Sequence, residues 1–509
     1  MNEQPGMVPS DESDANLMRN VHPAGWKNPA PSGVYNLVVI GAGTAGLVTA
    51  AGAAGLGAKV ALVERHLMGG DCLNTGCVPS KAMIRAGRAI HDARTAGAFG
   101  VSCEAGITID FKQVMERMRR IRAGISSHDS VERFSQELGI DVFLGSAAFT
   151  RSDTIAVQGE QLRFKKAAIC TGARAAVPPI AGIADTGYLT NESVFHLTTL
   201  PKQLLVIGGG PIGCELSQAF ARMGSAVTII ETAGRLLGRE DADAADIVQQ
   251  ALLRDNVKLV LNATIRNAIK RGKDKVLLIE QNGTTFELAG DEILVSAGRV
   301  PNVNGLGLET AGIAFDPHTG VQVNDLLQTS NARVYAAGDC CFPHKFTHTA
   351  DALARILIAN ALFKARQKTS SLMVPWCTYT DPEVAHVGMY EKEAREKGID
   401  VLTLTVPLGD MDRARIDGET EGFARVHLKK GTDRILGATI VARHAGEMLN
   451  ELSLALTTGL GLAAIGKTIH PYPTQAEAVK RLADAYNRTR LTVFRKKLLT
   501  TWLRWQRFW

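Results

Sequence analysis

A chain of 509 residues exceeds one ordinary domain, and its 45% hydrophobic and 21% charged residues are a globular balance that excludes a disordered or fibrous protein. Eight cysteines are too few for a secreted disulfide framework, so a close pair reads as redox-active or metal-binding. The net charge of +6 is carried by residues 488–509, where seven Arg and Lys stand without an acid; the remaining chain sums to −1 and offers no nucleic-acid footprint.

Residues 1–32 are polar, with acids at Glu3, Asp11, Glu12 and Asp14. No basic stretch leads into an apolar core, so an extension is expected here and not a secretory signal. A strand is predicted over 35–40. Gly41-x-Gly43-x-x-Gly46 follows, with Thr44 and Ala45 in its gap, then a small-residue helix, a strand over 59–63, and Glu64 beside Arg65. The apolar run from Leu47 to Val63 is rich in Ala and Gly and broken by Lys59, which predicts a buried helix–turn–strand and no membrane span.

Next comes Gly69-Gly70-Asp71-Cys72-Leu-Asn-Thr-Gly-Cys77-Val-Pro79-Ser-Lys81. Four residues between the cysteines leave a disulfide open, and Pro79 can enter the following helix. A thiolate near that helix start gains from the dipole. Two buried structural cysteines are a second reading. A zinc site is a third, but no CxxC or HxxxH lies nearby, and the vicinal Cys340-Cys341 pair would have to supply the other ligands. Cys103, Cys170, Cys214 and Cys377 read as isolated core residues.

The first pattern recurs. A strand over 203–207 leads into Gly208-x-Gly210-x-x-Gly213, with Pro211 and Ile212 in the gap, then a helix, a strand over 226–230, and Glu231 at the same distance from its first glycine as Glu64. Two such loops in strand–turn–helix context point to two dinucleotide sites. The glycines admit a pyrophosphate to the helix N-terminus, and the acid accepts hydrogen bonds from a ribose diol. Residues 33–190 and 301–372 are expected to form one discontinuous domain around an inserted nucleotide domain, 191–300. A third segment, 373–487, opens at Val374-Pro375 with mixed strand and helix patterns.

In residues 488–509, Leu491, Phe494, Leu498, Trp502, Trp505 and Trp509 recur at spacings of three and four, which places them on one helical face with basic residues around the remainder. Such a helix suits an anionic membrane interface, at up to about 7 kcal/mol for seven charges. Packing of the aromatic stripe on the protein body is the other reading. The protein is otherwise expected to be cytoplasmic.

With the motifs Thr171-Gly172-Ala173, Ala297-Gly298-Arg299-Val-Pro-Asn302, Val334-Tyr-Ala-Ala-Gly338-Asp339, Asp381-Pro-Glu383 and His470-Pro-Tyr472-Pro-Thr-Gln-Ala-Glu477 added in this order, the chain resembles the pyridine nucleotide–disulfide oxidoreductases over residues 33 to 487. The resemblance implies an α/β protein with two Rossmann-like domains, one for FAD and one for NAD(P)H, plus an α+β dimerisation domain, hence a homodimer with no resident metal. It implies FAD binding by Gly41, Gly43, Thr44, Ala45, Gly46, Glu64, Arg65, Gly70, Asp71, Lys81, Thr171, Gly172, Gly338 and Asp339. For the nicotinamide nucleotide it implies Gly208, Gly210, Pro211, Ile212, Gly213, Glu231, Gly298 and Arg299. Cys77 would be the thiolate against the flavin and Cys72 the thiol that meets substrate, with Lys81 and Glu215 paired where hydride arrives. A carboxylate at Glu231 repels a 2′-phosphate and favours NADH, with Arg235 and Arg239 close enough in sequence to compensate in part.

Within the family, thiol-substrate members carry a His-Pro-Thr-x-x-Glu motif whose histidine is the acid–base group. Here Tyr472 holds that position ahead of Glu477. With a pKa of about 10, roughly one tyrosine in a thousand is ionised at pH 7, and a dithiol substrate needs a base poised near neutrality. His470 either reaches the site or caps locally. Tyrosine at this register, together with Tyr188, resembles the mercuric reductases; Tyr188 also has a reading as a packing residue. Two departures bear on mercury: no vicinal cysteine pair follows Cys377, and no metal-binding domain precedes the first strand. Asp71 beside Cys72 is expected to raise that thiol's pKa. The expected acceptor is therefore a metal ion, a small disulfide or a quinone-like molecule, with dihydrolipoyl dehydrogenase-like activity and membrane-peripheral NADH:quinone reduction as alternatives. A non-catalytic flavin-binding protein would need neither Cys72 and Cys77 nor both glycine loops.

Overall fold

The structure, a computed structural model, describes residues 11–102 and 106–507. Glu3, Cys103 and Trp509 lie outside the described residues. Two compact units are present: one holds the described residues up to Leu236 together with Leu252–Ser371, the other Leu237–Ala251 together with the chain from Leu372 onward.

The first unit contains a seven-stranded mixed sheet, in which Ala147–Arg151 and Thr154–Val157 run antiparallel beyond Glu160–Ile169, and a four-stranded parallel sheet. In the first, Val34–Ile40 pairs in parallel with both Val60–Glu64 and Glu160–Ile169. Asp141–Leu144 extends one edge, and Val334–Ala336 adds in parallel to Glu160–Ile169. Val34–Ile40 and Val60–Glu64 are short, nearly continuous apolar runs, as parallel strands covered on both faces must be. Tyr35, Leu37, Val38, Val39 and Ile40 are all buried. The second sheet places Lys258–Val260, Ala226–Ile230, Gln203–Ile207 and Glu292–Val295 side by side, all parallel. An antiparallel sheet, Ala263–Arg271, Asp274–Gln281 and Thr284–Gly290, accompanies it. The run from Leu47 to Val63 is the expected buried helix and strand: the helix spans Thr44–Gly55 and the strand starts at Val60. Among the described residues no helix is long and apolar enough to cross a membrane.

The polar stretch before the first strand is built into this unit. Helix Glu12–Val21 is capped by Asp11, whose side chain accepts from the Asp14 amide at 2.9 Å. It buries Leu17 and Val21. Asp14 forms a buried ion pair with Arg122 at 2.7 Å, and Arg119 bonds Asp11 at 2.5 Å. Further on, Asn28 accepts from the Leu144 amide and donates to its carbonyl, and Trp26 Nε1 donates to the Val142 carbonyl at 3.2 Å, so two side chains cover the open edge of strand Asp141–Leu144.

The second unit is a five-stranded antiparallel sheet in the order Trp376–Thr378, Glu383–Gly388, Ile435–Ala442, Phe423–Lys429, Val401–Pro407. One face, with Ala424, Val426, Ile440 and Val387, forms an apolar core with Leu449, Leu452, Val479 and Leu482 from helices Ala445–Thr458 and Glu477–Thr489. The other face is polar. Arg425 binds Asp241 at 3.0 Å and also pairs with Asp243. Glu240 accepts from Trp376 Nε1 at 2.8 Å and from the Tyr390 hydroxyl at 2.6 Å. These bonds explain why Leu237–Ala251, inside the 191–300 segment by sequence order, groups with this sheet.

Candidate active site

The Cys72/Cys77 pair sits where a short helix meets a long one. Cys72 lies in Gly70–Asn74, and Cys77 is the first residue of the long helix Cys77–Thr95. Gly76 makes the turn between them: a Cβ there would stand 2.7 Å from the Asp71 carbonyl oxygen. Arg122 donates to the Asn74 carbonyl at 2.9 Å and Asn191 to that of Thr75 at 3.2 Å, which fixes the loop between the cysteines.

Both sulfurs are free thiols, with Cys72 hydrogen-bonded to Cys77. That bond favours the Cys77 thiolate. The Thr347 hydroxyl, 3.4 Å from its sulfur, and the positive charge of Lys81 act in the same direction against burial, and the Cys77 thiol is pushed down to about 6. The same bond and burial push Cys72 up. Lys81 pairs with Glu215 at 2.9 Å, joining helix Cys77–Thr95 to helix Pro211–Met223. The site is thus asymmetric before any ligand arrives: a thiolate at a helix N-terminus, where the dipole favours it, beside a neutral thiol.

Asp71 does not act as expected. Its carboxylate is paired with Arg299 and accepts from the Thr75 hydroxyl at 2.7 Å. The rise at Cys72 comes from Cys77, from burial and from the charge of the half-buried Asp129. An ion-paired acid projects far less field onto its neighbour than a free one.

Both glycine loops have the same construction. Gly41 and Gly208 take φ of +99° and +106°. A Cβ at Gly46 would stand 1.7 Å from the Gly41 oxygen, and one at Gly213 2.1 Å from the Gly208 oxygen. Gly70 passes the first loop so closely that its Cβ would lie 2.5 Å from Gly43 Cα. Gly43 and Gly210 begin helices Thr44–Gly55 and Pro211–Met223 without a side-chain cap, which leaves N–H groups for a phosphate. Ala45 is buried in the first helix, and Ile212 is partly exposed in the second, after Pro211 at its start. Glu64 accepts from the amides of Ala42 at 2.7 Å and His66 at 2.8 Å, while burial pushes its carboxyl up. Glu231 accepts from Gly209 at 2.6 Å and Ala233 at 2.9 Å. Arg65, next to Glu64, is exposed. These residues fit two dinucleotides.

Thr171 and Gly172 close on the 297–302 segment. Thr171 donates to the Asn302 carbonyl at 2.6 Å, and Asn302 bonds both residues in return. Gly298 and Gly338 both take positive φ. Arg299 reaches Asp71, the Ala173 carbonyl at 2.8 Å and Asp339 at 3.5 Å, so a residue expected at the nicotinamide nucleotide is held by two acids expected at FAD. Asp339 is pushed up by burial against Arg299 and Lys345. Cys340 and Cys341 turn their sulfurs to the carbonyls of Ile169 and Gly338.

Tyr188 is half-buried and packs on the apolar cluster of Ile183, Leu205 and Ile207. In the second unit, Tyr472 is 69% exposed and donates to Asp412 at 2.9 Å, which pushes its phenol up. His470 faces acceptors with both nitrogens: Glu451 at 3.0 Å and the Thr468 carbonyl at 3.1 Å. Glu477 bonds Arg481 at 3.1 Å through one oxygen; the other is buried with no hydrogen-bond partner among the described residues.

Sequence reasoning missed Thr347, which no spacing signals, and the loop amides of Ala42 and Gly209, which stand between the named glycines. It also missed Arg122 and Asn191, which hold the Cys72–Cys77 loop.

Known proteins share this arrangement. The sequence profile of the pyridine nucleotide-disulphide oxidoreductases matches residues 35–355, and that of their dimerisation domain residues 374–483, which supports a homodimer. A mercuric reductase of Lysinibacillus sphaericus is 35% identical over 89% of this chain and 83% of its own length. A dihydrolipoyl dehydrogenase of Geobacillus stearothermophilus is 34% identical over 88% and 95%. The Cu(II) complex of the HOCl-induced flavoprotein disulfide reductase RclA from Escherichia coli superposes with a TM-score of 0.80 at 30% identity, over 89% of this chain and all of that one. The chain belongs to the pyridine nucleotide-disulphide oxidoreductase family and is an NAD(P)H-dependent flavoprotein oxidoreductase that uses FAD.

Proposed function

We propose that this enzyme reduces a soft metal ion at the Cys72/Cys77 pair, in the manner of a mercuric reductase. The observation that carries the reading is the lack of a poised base at the Tyr472 register. The Tyr472 phenol is pushed up by Asp412, so it stays protonated at neutral pH. His470 has both nitrogens engaged by Glu451 and Thr468. Dithiol exchange needs a proton acceptor near neutrality. Reduction of a bound metal ion needs exchanging thiolates instead, and Cys77 supplies one.

The first glycine loop and Glu64 would hold FAD, which would supply two-electron transfer between the nicotinamide and the cysteine pair. The chain's own residues do the rest. Cys72 and Cys77, reduced, bind the metal ion as thiolates. Two electrons leave the sulfurs, for one Hg(II) ion or for two Cu(II) ions in turn, the disulfide re-forms, and the Cys72 thiol proton goes to solvent. Lys81 holds positive charge beside Cys77 and is itself held by Glu215. Glu64 and Glu231 orient the two glycine loops, and the Glu231 carboxylate favours NADH over a nucleotide with a 2′-phosphate.

Anaerobic NADH oxidation with Hg(II), Cu(II), glutathione disulfide, lipoamide and a quinone offered in turn tests this. The expected result is metal-dependent turnover that Cys77→Ser abolishes. A higher kcat/KM for lipoamide or glutathione disulfide than for either metal would defeat it, as would quinone turnover that survives Cys77→Ser. A higher kcat/KM with NADPH than with NADH would overturn the nucleotide preference alone.

A further inference from the structure

The apolar core of the second unit stops at Tyr486. Helix Glu477–Thr489 buries Val479, Leu482 and Tyr486, but the next helix, Val493–Gln506, buries no residue. It is a properly started helix, since the Thr492 side chain accepts from the Arg495 amide at 3.3 Å. Its large side chains face solvent: Phe494 is 75% exposed, Leu498 62%, Trp502 54% and Trp505 53%. Packing of this stripe on the protein body, one of the two readings open from sequence, is therefore not what the fold provides.

At 3.6 residues per turn the helix has two sides. Phe494, Leu498, Trp502 and Trp505 share one, widened by Leu499 and Leu503, and the two indoles lie 5.3 Å apart. Lys496, Lys497, Arg504 and Arg507 gather on the other, while Arg495 falls between Trp502 and Leu499 on the apolar side, where an arginine stem can cover apolar surface with its charge kept at the boundary. A contiguous exposed apolar patch of this kind marks an interaction surface. Charge decides the partner. Residues 488–509 contain no acid, so a second copy of the helix meets it with like charge. Nucleic acid would satisfy the basic side but give six apolar side chains no apolar phase. An anionic bilayer surface supplies both, and indole rings favour the headgroup boundary.

We propose that helix Val493–Gln506 seats the enzyme on anionic membrane surfaces, lying in the interface plane with Phe494, Leu498, Trp502 and Trp505 toward the acyl chains and Lys496, Lys497 and Arg504 toward lipid phosphates. The contact is peripheral and independent of which acceptor the cysteine pair reduces.

Co-sedimentation of the full-length, FAD-loaded protein with vesicles tests it. Vesicles of phosphatidylcholine with roughly one-third phosphatidylglycerol should retain at least about tenfold more protein than phosphatidylcholine alone. Raising salt from about 0.1 M to about 1 M should release most of it. Trp502→Ser/Trp505→Ser and Lys496→Glu/Lys497→Glu should each lose the vesicle-bound fraction, with NADH oxidation in solution unchanged. Equal retention on neutral and anionic vesicles, or retention unaffected by either double variant, overturns the proposal. So does a fall in molecular mass by light scattering in the charge-reversed variant without vesicles, since the helix would then join copies of the chain.

Discussion

At Cys77 three groups act on one sulfur. The Cys72 thiol donates to it, the Thr347 hydroxyl stands 3.4 Å away, and Lys81 adds charge, together outweighing burial and Glu215. Ultraviolet thiolate absorbance of the reduced enzyme, taken as the difference from Cys77→Ser, should rise with a half-point near pH 6. Thr347→Val removes one donor and should move the half-point upward; an unchanged half-point would assign the threonine no part in holding the thiolate. The sign for stability follows. An acid whose pKa is lowered by folding stabilises the native state above its unfolded pKa of about 8.5, and this contribution disappears as pH falls through 6. A second residue prediction concerns substrate class. Glu477 keeps one buried oxygen without a partner, five residues after Tyr472. Tyr472→His supplies an imidazole that this oxygen can orient. A positioned base contributes about 10²-fold or more, so lipoamide-dependent turnover should rise by about that factor. No gain would show that more than this side chain separates the enzyme from dithiol substrates.

At the scale of elements, helix Glu12–Val21 ties the beginning of the described chain to the redox loop. Its Asp14 neutralises Arg122, whose guanidinium holds the Asn74 carbonyl two residues from Cys72. The side chain of Arg122 is fully buried and that of Asp14 is 5% exposed. Breaking such a pair leaves an uncompensated buried charge, at a cost of about 3 kcal/mol. Asp14→Asn should therefore lower the unfolding free energy by that amount, seen as a lower urea midpoint with the slope unchanged, and should disturb the Cys77 titration. A wild-type midpoint would mean that Arg122 finds its compensation elsewhere. None of this was legible in the sequence, where the polar stretch reads as an extension. The glycine loops were legible because their constraint is local: the oxygen that forbids a Cβ at Gly46 belongs to Gly41, five residues away. Strands Gln203–Ile207 and Ala226–Ile230 were legible too, as apolar runs bounded by turn residues. Thr347 lies 270 residues from Cys77 and Arg299 lies 228 from Asp71. Such neighbours are set by strand order, which no window of sequence contains.

Over the whole molecule, apolar cores gather separately. Tyr35, Val38, Phe143 and Ile169 centre one, Leu205, Ile207 and Leu277 another, and Val426, Ile440, Leu449 and Leu482 a third. The first two belong to the unit that carries both glycine loops, the third to the sheet beginning at Trp376. Charge divides differently, with residues 488–509 holding the whole positive excess. Ligand binding should therefore act locally. FAD at a hundred times its Kd stabilises whatever it binds by about 2.7 kcal/mol. Added to the FAD-depleted protein, it should slow amide exchange in strand Val34–Ile40 and helix Thr44–Gly55, which flank the loop Gly41 to Gly46 proposed to receive it. NADH added afterwards should extend protection to the helix that begins at Pro211. Strands Glu383–Gly388 and Ile435–Ala442 share neither loop, and their exchange should stay at the FAD-depleted rate. Equal slowing in all five elements would mean that the two units open as one, and that the nucleotide loops are read by the entire chain.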